Sequence, residues 1–176
     1  VIASENFNDP FFFIERQVVA FALSLIMFSV FLFIPISFYR ENGLLLFFLS
    51  AILLALVLIP GIGREVNGSR RWLDLGFMNM QPSEVAKIFV PIYLCGYCLR
   101  RKEQLESSWR GFLKPIVITS LISILLFFEP DIGAMVVIFA IGIGILFIGG
   151  AKLSQLGILT IIFVTLVSIF IYFNAE

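Results

Sequence analysis

Two groups of side chains in this sequence could do chemistry. The first lies in the stretch 67–87, NGSRRWLDLGFMNMQPSEVAK, where Arg70 and Arg71 precede Trp72, and Gln81 and Glu84 precede Lys87. Neighbouring guanidinium groups offer forked donors suited to phosphate oxygens. The indole beside them either stacks on a sugar ring or, as the plainer role for Trp72, anchors the chain at a membrane interface. Gln81-Pro82-Ser83-Glu84 carries the signature of a helix start, with Pro near the first turn and an acid at the positive end of the helix dipole. Lys87 follows Glu84 by three residues, so the two meet on one face. They are expected to form a buried pair lining a cavity, with snorkelling of Lys87 as the alternative. The second group is Glu129-Pro130-Asp131, set between two apolar runs. Pro130 biases Glu129 out of helical geometry, and Asp131 suits the N-cap of a helix starting at Ile132. A carboxylate at membrane depth is costly and normally faces a cavity or a partner, which makes both acids candidates for function; capping alone is the bland alternative for Asp131. Only two residues apart, they would not flank a sugar as a glycosidase pair does.

Other motifs carry less. Cys95-Gly96-Tyr97-Cys98 sits in an apolar helix with no surrounding strand-helix-strand pattern, which speaks against a redox motif. Gly61-x-Gly63 lacks the spacing and the Lys-Ser/Thr of a phosphate loop. Ala140 and Gly144 form a small-xxx-small pair suited to helix packing. With no His in the chain, the usual proton shuttle and metal ligand is missing, and no metal constellation is visible.

The elements that must hold these groups are membrane helices. Sixty per cent of the residues are hydrophobic and 21 are Phe, more apolar surface than a soluble core of this size needs. Apolar runs at 18–38, 44–62, 85–99, 115–128, 132–150 and 156–173 make six candidate spans. They are continuous rather than alternating, which excludes strands and predicts an all-α, polytopic helix bundle. Twelve basic and twelve acidic residues balance, so no basic excess suggests nucleic acid. Six crossings put Arg40, Arg100, Arg101, Lys102, Arg110, Lys114 and Lys152 on one side, and Arg16, Arg64, Arg70 and Arg71 on the other. The richer side is expected to be cytoplasmic, which turns the polar loop 63–84 outward and the loop 100–114 inward. Residues 1–176 read as a single transmembrane domain, and neither end reads as a natural terminus: there is no initiator Met, and 1–3 look like the tail of an earlier span. The run 115–128 makes only about 21 Å of helix against ~30 Å of hydrocarbon. Glu129 and Asp131 are therefore expected below the outer interface.

RRWLDLGFMNMQPSEVAK followed by RGFLKP, EPDIGAMVV and GGAKL resembles, in order and spacing across essentially the whole chain, the SEDS family of bacterial wall proteins, the FtsW/RodA/SpoVE group. NDPFFFIERQ, GFLKP and GAKL are more similar to its division members than to its elongation members. The resemblance implies a ten-helix protein of the bacterial cytoplasmic membrane, of which 1–176 would run from the end of the first helix through the seventh. It implies a peptidoglycan glycosyltransferase that polymerises the membrane-borne disaccharide lipid II into glycan strands, working with a class B penicillin-binding transpeptidase and other division proteins. In this family the catalytic Asp lies in a large outer loop after the seventh helix. No residue here is thus expected to be the general base, and this stretch alone is expected to be inactive. Matching positions are Arg71, Trp72, Gly76, Gln81, Pro82, Glu84, Lys87, Pro130, Asp131 and Gly133, whereas Asn79 stands where many relatives carry a basic residue. Arg70, Arg71 and Lys87 would neutralise the substrate pyrophosphate while a groove between helices takes the polyprenyl tail. A divalent cation accompanying that pyrophosphate is the one cofactor the chemistry suggests. Two other roles stay open: transport of lipid II across the membrane, and a scaffold that recruits the transpeptidase.

Overall fold

The computed structural model describes residues 12–66, 69–74 and 79–174. Gly76, the tripeptide 1–3 and residues 8–11 of NDPFFFIERQ lie outside these residues. The chain divides into two compact units, Val1–Phe38 and Tyr39–Glu176. The first contains α1 (Phe12–Phe33), which stops two residues before Pro35, as the ring's exclusion from a helix interior requires. Ser24 and Ser29 satisfy their hydroxyls inside α1, each donating to the carbonyl four residues back at 2.8 Å, so neither exposes an unpaired polar group to lipid.

Most of α2 (Ile36–Leu58) belongs to the second unit, with β1 (Gly63–Val66), β2 (Ser69–Asp74), β3 (Asn79–Met80), α3 (Pro82–Arg100), α4 (Lys102–Ser107), α5 (Trp109–Phe128), α6 (Ile132–Ile148) and α7 (Leu153–Asn174). Among the described residues, six long helices stand where the sequence predicts six spans, the all-α class of a polytopic membrane protein. Among the described residues, α2, α5 and the stretch Leu153–Tyr172 of α7 are long and apolar enough to cross a membrane, while Gln17–Phe33 and Ile132–Ile148 are apolar but shorter.

Three boundaries differ from expectation. Helix α5 starts at Trp109, not 115, because Ser108 caps it by accepting from the Gly111 amide at 3.1 Å; Pro115 sits inside the helix. At 20 residues α5 reaches about 30 Å, so it is not too short to span. The loop expected at 100–114 is mostly helical, made of α4 and the first turns of α5. The polar loop 63–84 folds into an antiparallel sheet of order β1-β2-β3, with a bulge at Arg64/Glu65, followed by the first turn of α3.

The core lies between α2, α3, α5 and α6. Phe47, Ala51 and Leu54 of α2 meet Ala86, Val90, Tyr93 and Leu94 of α3, and Ile122, Leu126, Ala134 and Ile138 close the cluster. The face that α6 turns inward is Ala134, Ile138, Gly142 and Leu146, one residue every four. Ala140 and Gly144 lie off that stripe, and a methyl added at Gly144 would meet nothing within 4 Å, so the expected small-residue contact is not made among the described residues. At the end away from the sheet, Tyr97 donates to the Gly111 carbonyl at 2.7 Å and Arg100 to the Arg40 carbonyl at 2.8 Å, tying α3 to α5 and α2. Both cysteines are free.

Candidate functional site

The sheet end of the second unit collects the sequence-predicted residues. Gly63 follows α2 so closely that a Cβ there would collide with the Val57 carbonyl, which seats β1 against the end of that helix. Strand β2 alternates faces, so Arg71 shares a side with the buried Leu73, while the exposed Arg70 and half-buried Trp72 occupy the other. Arg70 and Arg71 are therefore not one fork: Arg71 faces inward. In the hairpin register Trp72 lies opposite Arg64, whose guanidinium reaches Asp74 at 3.4 Å across the strands.

Below the sheet, the turn between α5 and α6 is the most polar point of the interior. Glu129 caps α5 at φ −85°, ψ 4° and has no solvent exposure, and Asp131 is 7% exposed. Asp131 caps α6, its Oδ1 accepting from the Ala134 amide at 3.1 Å. Its Oδ2 accepts from Gln81 Nε2 and Ser83 Oγ, both at 2.9 Å. Gln81, expected to start α3 and to be a candidate site residue, leaves that helix without a side-chain cap and spends its amide on Asp131. Sequence reasoning missed Ser83, whose sole signal was its place in the helix-start tetrapeptide. One carboxylate thus ties the starts of two helices together.

Neither oxygen of Glu129 has a hydrogen-bond partner among the described residues. Burial pushes its carboxyl up to about 8, the Asp131 charge adds to the rise, and the Arg71 guanidinium opposes it. Asp131 is tied to the starts of α3 and α6 by these bonds, and at 20 residues α5 is not short.

Glu84 and Lys87 pair as expected, Nζ to Oε1 at 2.6 Å, but they are not buried: the side chains are 62% and 25% exposed. Among the described residues no three His, Cys, Asp or Glu side chains converge. Because both Asp131 oxygens are already engaged and Glu129 is closed to solvent, the turn does not fit a protein-held divalent cation.

An apolar groove of about 880 Å³ runs along α5, α6 and α7, lined by Phe127, Phe128, Ile132, Met135 and Phe170 among others. A cavity of about 290 Å³ shares Ser120, Ser123 and Leu166 with it and reaches Leu94 and Leu146. Phe128 and Ile132, on the groove wall, flank the Glu129–Asp131 turn. The arrangement can take a long apolar chain whose end arrives at the polar α5–α6 turn.

A family model for cell cycle proteins of the FtsW, RodA and SpoVE type matches residues 1–175. The chain is 43% identical over 158 residues to a probable peptidoglycan glycosyltransferase FtsW of Thioalkalivibrio sulfidiphilus, covering 90% of this chain and 40% of that protein. It is 46% identical over 148 residues to a protein of the same description from Marinomonas mediterranea, covering 84% and 36%. It thus spans well under half the length of either relative. Among solved structures it is similar to the rod shape determining protein RodA of Thermus thermophilus, with TM-score 0.75 and 28% identity over 93% of this chain and 53% of that one. It is also similar to a chain from a study of a peptidoglycan synthase complex that coordinates polymerization and crosslinking, with TM-score 0.76 and 29% identity over 96% and 48%.

Proposed function

The chain belongs to the FtsW/RodA/SpoVE family of cell cycle proteins, and from that premise we propose that it forms the lipid-binding part of a peptidoglycan glycosyltransferase that polymerises lipid II during division. The observation that carries this reading is the apolar groove ending at the polar α5–α6 turn, whose Glu129 feels the charge of Arg71 on β2. Lipid II is an amphiphile of the matching shape, a polyprenyl tail joined by a pyrophosphate to sugars. The groove takes the tail. Arg71 receives the pyrophosphate, since a guanidinium presents paired donors to phosphate oxygens. Trp72 and Arg70, on the opposite face of β2, meet the sugars or the headgroups of surrounding lipid. Gln81, Ser83 and Asp131 hold the helix ends in register, and Glu84 with Lys87 adds a charged pair at the same end.

Such chemistry needs a base to deprotonate the acceptor hydroxyl as it attacks the donor anomeric carbon, with the polyprenyl pyrophosphate leaving. No residue of this chain is assigned that role. A divalent cation, where the leaving group needs one, enters as the counter-ion of the substrate. The sheet faces outward from the bacterial cytoplasmic membrane, because the opposite end carries the denser Lys and Arg. A class B penicillin-binding transpeptidase is the proposed partner, in line with the similarity to a synthase-complex chain.

Purified protein of the relatives' full length should make glycan strands from lipid II with no other polymerase present. Lipid II headgroup movement across sealed vesicles without strand synthesis would establish the transporter instead. Activation of an added transpeptidase with neither activity would leave the scaffold.

A further inference from the structure

Several cations of the second unit are already engaged. Arg64 pairs with Asp74, Lys87 with Glu84 and Lys102 with Glu106, while Arg100 donates to the Arg40 carbonyl. The side chains of Arg101, Arg110, Lys114 and Lys152, all exposed, make no hydrogen bond or ion pair among the described residues. All four stand at the end away from the sheet, and the proposed function uses none of them.

Two of the four share a helix face. Arg110 and Lys114 are one turn apart on α5, which carries no acid, and like charges at this spacing repel each other on a helix surface. Their face continues as Leu113, Val117 and Leu121, at spacings of three and four residues, and all three are exposed. Because α5 is long and apolar enough to cross a membrane, this stripe looks into hydrocarbon and the cations stand where it meets the interface. In the same turn Trp109 is half exposed, its ring edge-on to Phe112 at 6.0 Å. The corner is closely packed. Ser108 caps α5, Tyr97 donates to the Gly111 carbonyl at 2.7 Å, and a Cβ at Gly111 would collide with the Gln104 carbonyl, so α3, α4 and the first turn of α5 meet directly.

We propose that this face of α5 is a docking site for an anionic glycerophospholipid of the leaflet at that end. Its phosphate sits between Arg110 and Lys114, an acyl chain follows Leu113, Val117 and Leu121, and Trp109 lies at headgroup level. Charge complementarity selects this occupant. A zwitterionic headgroup carries its own cation beside the phosphate and gains less from two more, whereas an anionic one relieves their repulsion; Arg101 and Lys152 add to the attraction at that end. A water-soluble acidic segment would meet the charges but not the stripe below them. The site lies at the opposite end of the second unit from the α5–α6 turn, so it is separate from the one proposed for lipid II and does not depend on that reading.

The test uses protein of the relatives' full length in nonionic detergent, titrated with phosphatidylglycerol or phosphatidylcholine, with bound lipid counted by native mass spectrometry. Wild type should prefer phosphatidylglycerol. At low salt Arg110→Gln and Lys114→Gln should each lower that preference about fivefold, and the double variant about thirtyfold, while Arg110→Lys, which keeps the charge, should stay close to wild type. Phosphatidylglycerol with a photoreactive acyl chain should label the stretch 113–121 of the wild-type protein, a readout that no variant's fold can disturb. An unchanged preference in the double variant, or a label confined to other helices, would overturn the proposal. Displacement of the lipid by glycerol phosphate, which has the charge without the chains, would overturn it too, because the site would then be one for a free anion.

Discussion

Asp131 carries more than a cap. An Asn there keeps an oxygen for the Ala134 amide but turns a second donor toward the Gln81 amide and Ser83 hydroxyl, which need an acceptor. Asp131→Asn is therefore expected to cost about 1–3 kcal/mol of stability, in the range for a buried group left without its partner, and Asp131→Ala at least as much. Thermal unfolding in detergent measures this; an Asn variant as stable as wild type would reduce Asp131 to a cap. The Glu84–Lys87 pair behaves differently. Since Glu84 is mostly exposed, neutralising either partner should cost no more than about 1 kcal/mol, and a double-mutant cycle should return a small coupling. A loss of several kcal/mol from one substitution would show that the pair is desolvated in the full chain. Glu129 gives a pH signature in stability itself. Folding raises its pKa from 4.5 to about 8, so the folded chain holds the extra proton between those values, and stability declines as pH rises through that window before levelling off. The unfolding midpoint of Glu129→Gln should accordingly gain on that of wild type from pH 5 to 8; a difference independent of pH would mean that Glu129 titrates normally.

At the scale of elements, the sequence exposed the helices clearly and their ends poorly. Continuous apolar runs located all six long helices, because period and length dominate that signal. Helix α5 began six residues early, since Pro115 was read as a start and the capping Ser108 lies among charged residues that looked like loop. The three strands were invisible to the same reasoning: two to six residues each, they do not alternate long enough to stand out. Face assignment failed for the same reason at Arg70 and Arg71, which spacing alone makes neighbours and the strand places on opposite sides. Two glycines separate packing from mere smallness. Gly63→Val should cost about 1–3 kcal/mol by forcing β1 away from the Val57 carbonyl. Gly144→Ala, facing open space within this chain, should be neutral or stabilising by up to about 1 kcal/mol through helix propensity. If both proved silent, the sheet would not be seated on α2 as described.

For the whole molecule, class and family were legible because hydropathy and the RRWLDLG, QPSEVAK and EPDIGA segments are long, ordered signals. The site was half legible. Its residue types could be named, but Ser83 and the groove arise only when α3, α5, α6 and α7 come together, and no local pattern encodes that meeting. The proposed function rests on that meeting, with an apolar groove along α5, α6 and α7 on one side and the polar α5–α6 turn on the other. The most direct test is an experimental structure of the full chain bound to lipid II. The account predicts tail density along α5–α7 between Phe127, Met135 and Phe170, with the pyrophosphate within hydrogen-bond reach of Arg71. A tail lying elsewhere, or a pyrophosphate held without Arg71, would contradict it.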